Sequence, residues 1–169
     1  MSEITIRPVC EADIEALLAL EAASFPDPWE ENGLKLLLSP PFGGLCAFAE
    51  GEPVGYIGWL YFPADGPLPA EAEITRIAVS PTLRRRGIGR LLLEEMRDRL
   101  APNEAPITLR LDVRESNTPA QALYAGFGFS VCGRRPRFYG SEDALEMQLI
   151  LPRDPAPRER GEEERTPLC

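Results

Sequence analysis

The stretch from Glu71 to Val113 constrains this chain more than any other part of it. Glu71 to Val79 reads as a strand. A basic turn follows, Arg84-Arg85-Arg86-Gly87-Ile88-Gly89-Arg90, and beyond Gly87 the spacing predicts a helix. Ile88, Leu92, Met96 and Leu100 share one side of that helix, while Glu94, Glu95, Arg97 and Asp98 lie elsewhere, the pattern of an amphipathic surface helix. Pro106 to Val113 then alternates: Ile107, Leu109, Leu111 and Val113 point one way, and Thr108, Arg110 and Asp112 the other. Strand, glycine turn, helix and strand in this order demand a mixed α/β or α+β arrangement.

The flanks extend the pattern. Glu3 to Val9 reads as a first strand and Glu11 to Ala23 as a helix with a stripe of Ile14, Leu17, Leu18 and Leu20. Ser24 to Trp29 is a loop, because Pro26 and Pro28 turn their predecessors away from helix. Glu30 to Leu38 is a short helix stopped by Pro40-Pro41. Gly44 to Ala49 and Val54 to Phe62 are strands joined by a tight turn at Gly51-Glu52-Pro53. Thr118-Pro119-Ala120-Gln121 has the form of a capping box with Thr118 as the cap and proline at the first helical position, opening a helix to about Phe127 that Gly128 ends. Phe129 to Gly133 and Asp143 to Leu151 complete the strands. One domain is expected over residues 1–151. From Pro152 the chain is rich in proline and charge and lacks the apolar residues to bury a core, so residues 152–169 are expected to form a disordered tail.

Composition narrows the function. The formal charge of -9 argues against nucleic-acid binding, which draws on phosphate neutralisation. No apolar run approaches the ~20 residues of a membrane span. The N-terminus lacks a basic segment followed by an apolar one, so a secretory signal is not expected and a cytoplasmic setting is. There is no histidine, which removes Ser-His and Cys-His nucleophiles and the usual zinc ligand sets, so no metal is expected. Cys10, Cys46, Cys132 and Cys169 show no short metal-type spacing and are expected as three small buried hydrophobes and a tail thiol.

The basic turn carries the chemistry. Two glycines two residues apart allow close backbone approach, the helix that starts there leaves its first amides unpaired, and its dipole favours an anion. Arg84, Arg85, Arg86 and Arg90 concentrate positive charge in an acidic chain. A phosphate or pyrophosphate site is the functional reading; an ordinary basic turn is the plain one. A Walker loop is absent, and Leu92 stands where a dinucleotide fingerprint needs its third glycine.

Ile77-Ala78-Val79-Ser80-Pro81 followed by Arg85-Arg86-Gly87-Ile88-Gly89-Arg90 resembles the pyrophosphate-binding motif of GNAT acetyltransferases. Leu111-Asp112-Val113-Arg114-Glu115-Ser116-Asn117 and Ala122 to Phe129 resemble the second half of that family's cofactor site. Within the family, the bacterial ribosomal-protein-alanine N-acetyltransferase group is similar from near the N-terminus to about Leu151. The resemblance implies a single mixed sheet of about six to seven strands flanked by about four helices, and acetyl-CoA as co-substrate. It implies that Ile77, Ala78 and Val79 hold the pantetheine arm, that Arg85, Arg86, Gly87, Ile88, Gly89 and Arg90 hold the pyrophosphate, and that Asn117, its side chain left free beside the cap, reaches the pantetheine.

An amine must shed a proton before attacking a thioester, and the departing thiolate must receive one. In the resembling group a glutamate is the base and a tyrosine the acid. The tyrosine matches Tyr124, whereas the base position is Asp112, one methylene shorter; Glu73 on the preceding strand is the rival. The plain readings are a strand-end Asp112 paired with Arg110 or Arg114, a packed Tyr124 and a solvated Glu73. With no histidine, direct attack in a ternary complex is the simplest route, and the resemblance implies that the Val79 amide polarises the thioester carbonyl.

The resemblance implies that Phe25 to Trp29 and Arg134 to Tyr139 line the acceptor groove, with Phe25, Trp29, Phe138 and Tyr139 as its contacts; simple packing is the alternative. Arg137-Phe138-Tyr139 lacks one hydroxyl of the group's two-tyrosine element. Three functions stand: acetylation of a protein N-terminus, the N-terminal alanine of a small-subunit ribosomal protein above all; acetylation of a small amine or lysine; and non-catalytic acyl-CoA binding. The oligomeric state stays open.

Overall fold

The computed structural model describes residues 3–101 and 106–152. The charged segment expected as a tail lies, from residue 153 on, outside the described residues. Seven strands form one sheet: β1 (Ile4–Pro8), β2 (Phe42–Ala49), β3 (Glu52–Phe62), β4 (Ala70–Val79), β5 (Ile107–Arg114), β6 (Ser130–Arg135) and β7 (Ala144–Leu151). Their order is β1-β2-β3-β4-β5-β7-β6, and only the β4–β5 pair is parallel. Four α-helices complete the fold: α1 (Ile14–Ser24), α2 (Glu31–Lys35), α3 (Ile88–Leu100) and α4 (Thr118–Phe127).

Helix α3 is the crossover between the parallel strands, as such a connection requires. The Ile88, Leu92, Leu93 and Met96 side chains are buried and share a core with Ala70, Ala72, Ile74, Ile107, Leu109, Leu111 and Val113. The alternating apolar set of β5 therefore faces α3, and each of its side chains contributes about 2 kcal/mol of burial. A second core lies on the other face, where Ile14, Leu17, Leu20, Leu34 and Leu37 pack on Cys46, Phe48, Tyr56 and Ala78.

Four local expectations are corrected. The β2–β3 turn is Glu50-Gly51, both in the left-handed region (φ 53° and 84°), while Glu52 and Pro53 already pair in β3; a two-residue turn of this hand matches the twist of its strands. Asn117, not Thr118, caps α4: its side chain accepts from the Ala120 amide at 3.3 Å and its carbonyl accepts from Gln121 N at 3.1 Å. Arg134 and Arg135 belong to β6 rather than to the loop after it. Cys132 is exposed on that strand, and Cys10 is only part-buried, whereas the Cys46 thiol is buried and pushed up to about 12 by desolvation. Cys169 lies outside the described residues.

Candidate active site

The site begins where two strands part. β4 and β5 pair from Ala70/Ile107 to Ile74/Leu111 and then separate. At that point β4 carries a bulge: Gly58 pairs with Arg76 and Trp59 with Ile74, which leaves Thr75 as the extra residue. The bulge bends the strand away from its neighbour. Beyond it, the Ser80 amide donates to Val54 O at 2.8 Å, so residues 80 and 78 turn their backbone groups toward β3. By alternation, those of Ile77 and Val79 point into the opened wedge. Val79 O accepts from Arg84 Nε at 3.1 Å, and the Val79 amide faces the wedge. Ala78 is buried in the second core, so it supplies packing, not a wall of the wedge.

The turn before α3 stands at the far end. Arg85 (φ 63°) and Gly87 (φ 83°) are both left-handed, a conformation that forms a concave arrangement of backbone amides. No side chain caps α3, and its first internal bond runs from Leu91 N to Gly87 O. The amides of Ile88, Gly89 and Arg90 are thus the unpaired donors of the helix start. The two glycines serve different ends. Gly87 allows the backbone conformation, whereas a Cβ on Gly89 would meet Leu123 Cδ2 at 3.0 Å, so Gly89 lets α3 approach α4. The Ile88 side chain is core, and Arg90 pairs with Glu94 at 2.9 Å and reaches Gly126 O. Arg85 and Arg86 are exposed. A wedge with outward amides, ending on an uncapped helix start beside arginines, fits an extended ligand with a phosphate end.

Asp112 sits on β5 just past the parting point and lines both the wedge and a shallow hollow on the face away from α3. Burial pushes its carboxyl above the ordinary aspartate range; the Arg135 charge pulls it back and Glu146 pushes it further up. Its ionic partner is Arg135, at 3.5 Å, not Arg110 or Arg114, which pair with Glu71 and with Asp27 and Glu142. Glu73 is exposed and lines the same hollow. Tyr124 is buried, edge-on to Phe129 at 5.8 Å, and lines the wedge; burial raises its hydroxyl pKa above the usual tyrosine value. A raised pKa keeps that hydroxyl protonated and able to donate. The oxygen of Asn117 is engaged as a cap, which points to its amide nitrogen as the group offered to a ligand.

Across the wedge stand the two loops expected to meet the acceptor. Phe25 and Tyr139 line the cleft, Trp29 and Phe138 do not, and Phe138 is exposed, edge-on to Tyr139 at 5.0 Å. The first loop is held by residues that the sequence reading did not single out. Glu21 on α1 is wholly buried; it accepts from Trp29 N at 2.7 Å, from the Tyr56 hydroxyl and from Arg76 at 2.7 Å. Arg76 also donates to Asp27 O at 2.8 Å and lies 3.8 Å above the Phe25 ring. Arg114 ties the two loops together: it lies 4.2 Å over the Tyr139 ring and pairs with Asp27 at 3.5 Å and Glu142 at 3.4 Å. A carboxylate on the apolar stripe of a helix, four residues after Leu17, was the available signal, since a buried charge needs partners.

The profile of the acetyltransferase (GNAT) family matches residues 14–129. The N-alpha-acetyltransferase RimI of Mycobacterium tuberculosis is 34% identical over 150 residues, covering 86% of this chain and 91% of that protein. The ribosomal protein bS18-alanine N-acetyltransferase of Escherichia coli K12 is 31% identical over 156 residues, covering 87% and 95%. The crystal structure of the ribosomal-protein-S18-alanine N-acetyltransferase from Escherichia coli superposes with a TM-score of 0.78 at 27% identity, over 97% of this chain and all of that one. With the parted strands, the uncapped helix start and these matches together, the chain belongs to the GNAT acetyltransferase family and is an acetyl-CoA-dependent N-acetyltransferase.

Proposed function

We propose that this enzyme acetylates the α-amino group of a protein, and that the acceptor is the N-terminal alanine of a small-subunit ribosomal protein. The observation that carries the reading is similarity to full-length relatives named for that reaction, at 31% identity over 87% of the chain. The cleft supports it: Phe25 and Tyr139 give it an aromatic rim that suits an extended peptide, and the Asp112 carboxylate lines it where a cationic end would arrive. No helix among the described residues is long and apolar enough to cross a membrane, and a ribosomal substrate would place the enzyme in the cytoplasm.

Acetyl-CoA supplies an activated thioester. Asp112 takes a proton from the acceptor ammonium, directly or through one water, so that nitrogen bonds to the acyl carbon as the carbon–sulfur bond breaks. The Val79 amide donates to the thioester oxygen as charge develops there. Tyr124 donates its hydroxyl proton to the leaving thiolate and regains one from the second proton that the nitrogen sheds as the amide forms, so the thiol departs and the tyrosine ends protonated. The outward backbone groups of Ile77 and Val79 with the Asn117 amide nitrogen hold the pantetheine, and the amides of residues 88–90 with Arg85 and Arg86 hold the pyrophosphate. Glu73 is the rival base, and its exposure is the observation against it.

The test is incubation with acetyl-CoA and a peptide beginning with an unblocked alanine, followed by thiol release and peptide mass. One acetyl group gained at the N-terminus is expected. Transfer to small amines or lysine but to no N-terminus overturns the assignment.

A further inference from the structure

Asp112 and Glu146 are directly opposed across β5 and β7. Like charges at such positions repel and are tolerated only with a cation between them. Arg135 supplies it from β6, with Nε 2.9 Å from Glu146 Oε1 and 3.5 Å from Asp112 Oδ1. The β6–β7 register slips between Val131 and Gly133, and a Cβ on Gly133 would collide with the Glu146 carboxylate. The slip and the missing side chain thus create the slot in which Glu146 lies beside Arg135. Three strands converge on one shared guanidinium in the shallow hollow, which meets the wedge at Asp112.

From this geometry we infer that Arg135 and Glu146 are positioning residues for acetyl transfer: Arg135 orients the Asp112 carboxylate, and Glu146 draws Arg135 aside so that the carboxylate stays open to an incoming ammonium. The inference rests on Asp112 being the base. Arg135 is bound more closely to Glu146 than to Asp112, and half of its side chain is exposed, so the acceptor can displace it from Asp112 while Glu146 retains it. Other charged groups face Asp112 as well. Glu73 and Arg76 do so from β4, Arg110 and Arg114 from its own strand, and Asp27 from the loop after α1. The titratable neighbours are Cys132 on β6, Tyr124 on α4 and Tyr139, whose hydroxyl donates to the Asp112 carbonyl at 3.3 Å. Among them, Arg135 and Glu146 are the charges that act most directly on the Asp112 carboxyl, in opposite directions.

The experiment titrates the Asp112 side-chain carboxyl by carbon-13 NMR in the full chain and measures kcat/KM for acetylation of the alanine peptide. It compares the unmodified enzyme with R135Q, R135K, E146Q and D112N, with acetyl-CoA binding as the control for folding. Losing a nearby cation raises a carboxyl pKa and losing a nearby anion lowers it, so R135Q should move Asp112 up and E146Q down, each by about half a pH unit for a part-exposed pair. R135Q should also lower kcat/KM with acetyl-CoA affinity unchanged, and R135K should restore most of both. Shifts that are absent or share one sign overturn the inference, as does an unchanged kcat/KM in R135Q. D112N separates the two layers. A full rate in D112N removes Asp112 as base and the inference with it, whereas a D112N loss without opposed shifts removes the inference alone.

Discussion

Two carboxylates flank the cleft and have opposite environments. Glu21 is wholly buried and saturated: a backbone amide, a tyrosine hydroxyl and an arginine all donate to it. Asp112 is part-buried and shares a single guanidinium with Glu146. A saturated carboxylate has no lone pair to spare for a substrate, and its cost of burial is offset only while every donor stays in place. Such a group fixes geometry; here it fixes the Phe25 to Trp29 loop. A carboxylate with one loosely held partner keeps a lone pair for an amine, and its protonation answers to neighbouring charge.

The largest contrast should appear in the rate. D112N is expected to lower kcat/KM for peptide acetylation by about 10²- to 10⁴-fold, the usual contribution of a general base. Acetyl-CoA affinity should be unchanged by calorimetry, and E73Q should stay near the parent rate. Equal losses in D112N and E73Q would end the assignment of the base to one residue.

E21A should act on the fold instead. Removing one partner of a buried ion pair leaves Arg76 uncompensated, so unfolding in urea should show a loss of about 3 kcal/mol or more. In the surviving folded fraction, peptide KM should rise because the first acceptor loop loses its anchor. A stable E21A enzyme with normal peptide KM would mean that Glu21 is not what holds that loop.

N117A removes the α4 cap and should cost about 1 kcal/mol in thermal unfolding. A rise in the KM for acetyl-CoA beyond what the lost cap explains would assign the Asn117 amide nitrogen to the cofactor.

The smallest effect concerns Asp13, a second saturated carboxylate. Burial pushes its carboxyl up, but two hydrogen bonds from Arg7, at 2.7 and 2.8 Å, and one from Cys10 N more than offset this, and its pKa ends below the ordinary value. The stabilisation is complete above the unfolded carboxylate pKa and is lost as pH falls through the lower folded value. D13N should therefore flatten the acid side of the stability curve, read from urea midpoints at about pH 3 to 6. An unchanged acid slope would show that Asp13 titrates alike in both states.

The sequence by itself determined the strands, the helices and the glycine turn that opens α3. Those features depend on local pattern: alternation in Ile107 to Val113, a helical stripe from Ile88 to Leu100, and a contiguous turn whose backbone holds its own donors. The boundaries that missed did so where two neighbouring residues compete for one local role, as Asn117 and Thr118 do for the α4 cap. The acceptor side was decided by the tertiary structure. Glu21 meets Tyr56 and Arg76 across 35 and 55 residues, Arg114 meets Asp27 across 87, and Asp112, Arg135 and Glu146 meet only because β7 lies between β5 and β6 in the sheet. Periodicity names the face a side chain occupies, but strand order and register choose its neighbour. For an ionised group the neighbour decides the chemistry, because distance and burial set both its pKa and its freedom to act.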